Sequence, residues 1–420
     1  MSDNALTTIE KALAINLDQL KYGTIAEIGA GQEVARWFFQ AGAAAGTIAK
    51  TMSAYDMDFS DAIYGADENR RYVSRARCER MLAQEYDLVV SRIKDRRPKG
   101  SRFFAYTNTV AAQGFRRRDE CHGWIGIRLP QASELEPDNI VLHVRMLDDT
   151  NLEQQEALGI LGVNLIYGAL LYAEDPERLI RSLLDNLKTG RIEIDLVDFS
   201  GPGLGHFENR QMALELVKAK LTSAVLFGPG GKVQTPANVF YKKDVIVTRS
   251  NLELSADVEI AQFEASVKRF ATERKIDLCQ VVRLVEINLK DFSKAGDVDT
   301  TNYLDRARLF AAHGFHVLIS DFLQYYLIRQ FIAHYTQSSV GIVIDVKGFK
   351  EIIRPEAYEG LDGGILEGLG KLFPEGTTVY VYPNKESGKR LTLDEMDIDD
   401  SLRPLSDYLR GLGQLITAGD

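Results

Sequence analysis

The chain has 420 residues, of which 45% are hydrophobic and 26% charged, with a formal net charge of −10. That is the composition of a globular protein with enough apolar material for two or three domains, without disulfides or structural metals. The acidic balance argues against a nucleic-acid partner or an anionic membrane surface, because both reward basic patches.

In chain order, helical spacing over 7–20 puts Ile9, Leu13, Leu17 and Leu20 on one face. A short strand over 24–28 ends in Gly29-Ala30-Gly31, and helical periodicity resumes over 32–40 until Gly42 stops it. A further helix is predicted over 75–93. From Arg102 the period becomes alternating, giving strands over 103–110, 124–129 and 140–147. Loops rich in Gly, Pro, Asp and Arg join them, as in an antiparallel meander. Residues 1–150 are therefore expected to form an α+β region.

Residues 151–190 are expected to form a helical connector, broken at Asp175-Pro176. Gly159, Gly162 and Gly168 weaken its first helix by about 1 kcal/mol each, so a close neighbour is expected there, either in this chain or in a second copy. With Asn164, three glycines and two tyrosines, 157–173 reads as a buried core helix and not a membrane span.

From Arg191 short apolar strands alternate with helices. Strands are predicted over 192–199, 224–227, 245–248, 281–289, 316–322, 341–346 and 378–382, with helices over 209–221, 260–273, 302–313, 323–335 and 364–372. Such strands indicate a mostly parallel, doubly wound sheet, so 191–420 is expected to be one α/β domain. The fold class is α/β.

Ligands of parallel α/β sheets sit beyond the carboxyl ends of the strands. The strand over 192–199 ends in Asp198 and leads into Gly201-Pro202-Gly203-Leu204-Gly205-His206. A glycine-rich turn before a helix offers backbone N–H groups to a phosphate. Gly228-Pro229-Gly230-Gly231-Lys232 is a similar turn with a lysine. Other strand ends carry Asn288, Ser320, Asp321, Asp345, Asn384 and Lys385. The ligand-binding set is therefore Asp198, Gly201, Gly203, Gly205, His206, Lys232, Asp321 and Asp345. In it the glycines approach a phosphate, Lys232 offsets its charge, and Asp198 with Asp345 hold Mg2+ or a ribose hydroxyl. No catalytic residue can be assigned.

Other features read structurally. Gly29-Ala30-Gly31 starts like a dinucleotide loop, but Val34 stands where a third glycine belongs, so a tight strand-to-helix turn is expected. Asp56, Asp58 and Asp61 suit helix capping better than a cation. His143, in an apolar strand, reads as a satisfied core histidine. His313 and His316 flank a turn and will not share a metal. Arg116-Arg117-Arg118, with Arg92, Lys94, Arg96 and Arg97 before it, reads as a solvated basic face. Cys78, Cys121 and Cys279 are odd in number and scattered, which implies reduced thiols and a cytoplasmic protein. The first residues have no signal-peptide pattern.

Four phrases carry a family resemblance: KYGTIAEIGAGQEVAR at 21–36, KTMSAYD at 50–56, EALGILGVNLIYG at 156–168 and LDGGILE at 361–367. Along almost its whole length the chain resembles a bacterial and plastid-lineage family labelled nicotinate-nucleotide (nicotinamide mononucleotide) adenylyltransferase, some members being labelled TonB-dependent receptor. The first label implies a nucleotide ligand of NAD metabolism. The usual H-x-G-H of such enzymes has glycine for its first histidine at Gly203-Leu204-Gly205-His206. The late I-S-x-x-x-x-R motif has Tyr325 in the arginine's place. The receptor label needs a long series of amphipathic strands, which is absent. The expected function is thus binding of a small phosphorylated molecule, and the alternative is a scaffold assembling into homo-oligomers.

Overall fold

The computed structural model describes residues 6–66, 72–114, 121–130, 136–250, 255–294, 297–298, 300–386 and 389–418. The chain divides into two compact units, Met1–Thr222 and Ser223–Asp420. The chain is of the α/β class, as expected from the sequence.

The first unit contains α1 (Thr8–Asn16), β1 (Lys21–Gly29), α2 (Glu33–Ala41), β2 (Ile48–Ala54), α3 (Met57–Tyr64), α4 (Arg75–Ile93), β3 (Arg102–Ala111), β4 (His122–Leu129), β5 (Asp138–Met146), α5 (Asn151–Leu171), α6 (Pro176–Ser182), β6 (Ile192–Ser200) and α7 (Asn209–Lys218). Its sheet has the order β2-β1-β3-β4-β5-β6. β1 lies parallel to β2 and β3, and β3 to β6 follow as an antiparallel meander. Two expectations are corrected here. The edge strand β2, whose exposed positions alternate with half-buried ones between two buried ends, was not predicted. β6, expected to open the parallel sheet of 191–420, instead closes this one antiparallel to β5, and the connector helices α5 and α6 belong to the same unit. A strand buried on both faces looks the same in sequence whichever way its neighbour runs.

Side chains alternate across the sheet. Thr107 faces α4, whose Cys78 Sγ lies 3.4 Å from Thr107 Oγ1. Tyr106 and Asn108 face the layer of α2 and α5. α5 is buried along most of its length, and its glycines permit the contact. A Cβ on Gly159 would lie 2.6 Å from Glu33 Cβ, and one on Gly162 would lie 2.4 Å from Val34 Cγ2. The close neighbour expected for these glycines is therefore α2 of the same unit for Gly159 and Gly162, and α6 for Gly168, where a Cβ would lie 3.2 Å from Leu179 Cγ. α1 turns an unexpected face inward. Lys11, Ala12 and Ile15 are buried while Ile9, Leu17 and Leu20 are exposed, because Lys11 has partners inside. Its ammonium donates to Asn164 Oδ1 at 2.8 Å and to Asp185 Oδ2 at 2.6 Å, and Asn164 Nδ2 donates to Leu183 O and Asp185 O.

The second unit contains β7 (Ala224–Phe227), β8 (Val233–Gln234), α8 (Pro236–Phe240), β9 (Val245–Arg249), α9 (Ala256–Arg274), β10 (Val282–Asn288), β11 (Ser293–Lys294), β12 (Asp297–Val298), α10 (Thr300–Ala312), β13 (His316–Ser320), α11 (Tyr325–Tyr335), β14 (Val340–Asp345), α12 (Val346–Ile352), α13 (Gly364–Leu372), β15 (Thr377–Tyr382), β16 (Asn384–Glu386), β17 (Lys389–Leu391), α14 (Arg403–Gly411) and β18 (Leu415–Thr417). The main sheet has the order β18-β15-β14-β9-β10-β13-β7-β8. Its strands from β18 to β13 are parallel, and β7 and β8 form an antiparallel edge. One face packs against α11, α12 and α13 through Ile328, Phe349 and Leu372. The other meets α9, where a Cβ on Gly341 would lie 3.0 Å from Phe270. The mostly parallel, doubly wound sheet is as expected. No helix among the described residues is long and apolar enough to cross a membrane.

Lys11→Ala strands the buried Asn164 carbonyl and the Asp185 carboxylate, and should cost about 3 kcal/mol. Lys11→Met, which fills the same space, should recover part of that loss. Both tryptophans, Trp37 and Trp124, lie in the first unit, so urea unfolding followed by tryptophan fluorescence reads it selectively. Equal stability of Lys11→Ala and the parent would contradict the assigned role.

Candidate functional site

The three parallel strands of the first unit place their carboxyl ends side by side. β1 leads through α2 to β2 on one flank, and α3 and α4 return the chain to β3 on the other. Because α2 and α4 lie on opposite faces, the connections part above β1, where α/β sheets form their ligand crevices. One transverse row there joins Ser53, Glu27 and Asn108 as register partners, so all three side chains share the α2/α5 face.

Gly29 and Gly31 shape the rim. Gly29 has φ +92°, and a Cβ there would lie 2.0 Å from Val110 O, so only glycine fits. A Cβ on Gly31 would lie 2.1 Å from Asn108 Nδ2. The chain thus crosses directly over the Asn108 amide before α2 begins, which is the tight turn expected from the sequence.

The row is poorly satisfied. Asn108 is fully buried, and neither its Oδ1 nor its Nδ2 has a hydrogen-bond partner. Beside it on β3 the fully buried Tyr106 hydroxyl has the Asn108 amide as a polar neighbour but makes no hydrogen bond of good geometry, and Trp37 Nε1 on α2 is unpartnered. Each unmet buried polar group costs about 1–3 kcal/mol, and such groups are rare enough to call for a ligand, a water or a function. Glu27 is 2% exposed, and its carboxylate accepts one hydrogen bond, from Ser53 Oγ at 3.2 Å. Burial pushes its pKa up to about 7, and the nearby Glu33 charge acts in the same direction. At neutral pH the carboxyl is divided between a donor and an acceptor form. Sequence reading missed Glu27 and Asn108. The available signal was a carboxylate and an amide inside otherwise apolar strands, in TIAEI and FFAYTNTV.

The opposite face carries a second polar chain. His143 Nδ1 lies 2.6 Å from Asp195 Oδ1, and His143 Nε2 lies 3.1 Å from His122 Nδ1. A register shift between His143 and Val144 leaves Asp195 without a cross-strand partner, which turns its carboxylate onto the histidine face. His143 is thus the satisfied core histidine expected.

The predicted ligand set is split between the two units. In the first, Asp198 is ion-paired to Arg75 at 2.6 Å and accepts from Asn209 Nδ2 at 3.0 Å. The Gly201–His206 loop follows an antiparallel strand, so it lies at the sheet edge opposite to Glu27. Its N–H groups serve the protein itself: Gly203 and Leu204 donate to Asp138 Oδ1 at 2.7 and 3.2 Å, and Gly205 donates to Gly201 O at 2.7 Å. A carboxylate of the chain occupies the place assigned to a phosphate, which corrects the roles given to Gly201, Gly203 and Gly205. Gly203 and His206 do line a cavity of about 650 Å³, together with Arg102, Asp138 and Glu174.

In the second unit the glycine-rich turn at Lys232 is a β7–β8 hairpin closed by Gly228 N–H to Lys232 O, not a strand-to-helix loop. Because β7 runs against β13, Lys232 lies at the opposite sheet edge from Asp321 and Asp345 and cannot share a rim with them. Asp345 caps α12 through Gly348 N–H at 2.7 Å and accepts from Asn384 at 3.0 Å. Asp56 likewise caps α3. Asp198 and Asp345, expected to hold Mg2+ or a ribose hydroxyl, are thus both engaged within their own units. Among the described residues no group of three His, Cys, Asp or Glu side chains could hold a metal ion. Cys78 is buried, which pushes its thiol up to about 12. Arg116, Arg117 and Arg118 lie outside the described residues.

No protein-family model matches the sequence, and no curated protein does. Part of the chain is similar in structure to the competence/damage inducible protein CihA from Agrobacterium tumefaciens. That match has 18% identity and a TM-score of 0.29, over 40% of this chain and 97% of that one. A competence-damaged protein (CinA) superfamily protein from Enterobacter cloacae matches at 15% identity and TM-score 0.29, over 41% and 95%. One from Klebsiella pneumoniae matches at 12% and 0.28, over 40% and 99%.

The raised pKa of Glu27 has a stability consequence with a definite sign. The folded state favours the protonated form, so stability is full below the ordinary glutamate range and falls as pH rises through about 7. The loss should reach about 3 kcal/mol by about pH 8. Glu27→Gln should abolish that dependence, measured as tryptophan-detected urea midpoints at about pH 5 and about pH 8. Parallel pH slopes for the two proteins would contradict the assignment.

Proposed function

We propose that the first unit binds a small molecule of the nucleotide class at the carboxyl edge of β1, β2 and β3, and that Asn108 and Glu27 read a donor–acceptor edge of its base. The observation that carries this reading is the Asn108 side chain, fully buried with a donor and an acceptor both unused. With the Gly31 turn, which covers the amide, moved aside, a planar heterocycle offering a complementary donor and acceptor would satisfy both at once. This is the bidentate geometry by which amide side chains recognise bases.

Glu27, the register partner of Asn108, adds a group able to give or take a proton near neutral pH, which is the range a general acid–base residue needs. Two carboxyl groups, Glu27 and Glu33, stand at this rim, so it favours the neutral or cationic part of a ligand over its phosphate. The adenylyl transfer implied by the family resemblance would need triphosphate-binding motifs, and no residue here is assigned to them. NAD metabolism enters through that resemblance alone.

Calorimetric titration of the full chain with NAD, nicotinate mononucleotide and ATP tests the proposal. At least one should bind, and Asn108→Ala should weaken it roughly ten- to a hundredfold while leaving the circular dichroism spectrum unchanged. No heat with any of the three ligands, or equal affinity for the variant, would remove it.

A further inference from the structure

We propose that the second unit carries a separate pocket for a small phosphate-bearing molecule, with Lys290 and Arg354 as its anion-binding groups and Arg249 as a fixed cationic wall. The pocket lies where the topology of this sheet opens a crevice. The connections after β9 and β10 lead to α9 and α10 on one face, and those after β13 and β14 lead to α11 and α12 on the other. Adjacent loops therefore part at the carboxyl edge, the position at which doubly wound sheets take ligands. A cavity of about 360 Å³ occupies that place, lined by Arg249, Asn288, Lys290, Tyr325, Arg354 and Tyr358 among others. Its volume suits a small ligand.

The polar groups of the lining divide into those already engaged and those still available. Asn288 Nδ2 donates to Phe322 O, and its Oδ1 accepts from Lys290 N at 2.9 Å. The Tyr358 hydroxyl donates to Ile352 O at 2.6 Å, and Gln324 Nε2 donates to Ala357 O at 3.1 Å. Arg249 donates to the buried Glu286 at 2.6 and 3.2 Å and stacks 4.7 Å over the Tyr325 ring, so its guanidinium is held rigidly at the wall. Lys290 and Arg354 differ from all of these. Both are exposed, and neither side chain makes an ion pair or a hydrogen bond among the described residues. Two uncommitted cations facing one cavity can each give an anion charge-assisted hydrogen bonds. Glu351 and Glu356 also line the cavity. They equal Lys290 and Arg354 in number, so a phosphate seated between the two cations would leave its uncharged or cationic remainder beside Glu351 and Glu356.

This inference is independent of the first unit's site, and the test separates the two. The full chain is titrated with pyrophosphate by calorimetry, alongside Lys290→Ala/Arg354→Ala and Asn108→Ala. Both cations are exposed, so the double variant should keep its circular dichroism spectrum. The expected result is saturable binding by the parent and by Asn108→Ala, weakened at least about tenfold in the double variant. Absence of saturable heat in the parent, or undiminished binding by the double variant, overturns the proposal. So does binding that is lost in Asn108→Ala and kept in the double variant, because it would place the anion in the first unit.

Discussion

The first unit depends on how closely α5 can lie against α2. Gly159 and Gly162 bring the two backbones together at a distance where a methyl group would meet Glu33, Val34 or the Tyr106 hydroxyl. That approach presses the start of α2 down onto β3, so Gly31 must cross Asn108 with no side chain of its own. The same contact closes Asn108 and Tyr106 away from solvent without giving them partners. Glycine in a helix interior is unfavourable by about 1 kcal/mol, and the buried Lys11–Asn164–Asp185 network offsets part of that cost by tying α1, α5 and the segment after α6 together. The polar rim is a product of tight packing. A looser α5 would let water reach Asn108 and leave it an ordinary buried amide with a solvent partner.

Strand direction then decides which loops can cooperate. In the first sheet β1, β2 and β3 point one way and β6 the other, so the Gly201–His206 loop belongs to the edge away from Glu27. In the second, β7 runs against β13 and carries Lys232 away from Asp321 and Asp345. Both glycine-rich segments are loops closed by their own chain. Asp138 fills one, and a hairpin hydrogen bond fills the other. Glycine-rich turns bind anions through unpaired N–H groups, and in neither loop are the hydrogen-bonded N–H groups available for that purpose.

Much of the fold was legible because its signals are local. Asp175-Pro176 opens α6, alternation marks β3 to β5, and short apolar runs mark β9, β10, β13, β14 and β15. What was not legible depends on pairing. The sequence of β6, IEIDLVDFS, is compatible with either sheet, and only its hydrogen bonding to β5 places it. β2 is half-exposed and carries Lys50 and Ser53 among its apolar residues, so it lacks the hydrophobic run by which edge strands are usually found. α1 was oriented by its leucines, yet a lysine faces inward because acceptors far along the chain receive it. The candidate site was missed for the same reason. Glu27 and Asn108 are 81 residues apart by number and become neighbours only through the β1–β3 register.

The buried carboxylates show why Glu27 stands apart. Glu286 lies against Arg249 and accepts from Ser320. Glu259 has Arg306, and Glu215 has Arg181 and Lys218. Glu85 has Lys50 and the Tyr64 hydroxyl, Asp195 has His143, and Asp138 has two backbone N–H groups. In each case a cation, an imidazole or N–H donors meet the charge and hold the group in a structural role. Among the described residues Glu27 is the buried acid with a single serine hydroxyl as partner. A buried carboxyl without a counter-charge relieves its desolvation by keeping its proton, and a retained proton near neutral pH is available for transfer. The packing that leaves Asn108 unpaired also leaves Glu27 uncompensated, so the recognition group and the proton-carrying group arise from one constraint.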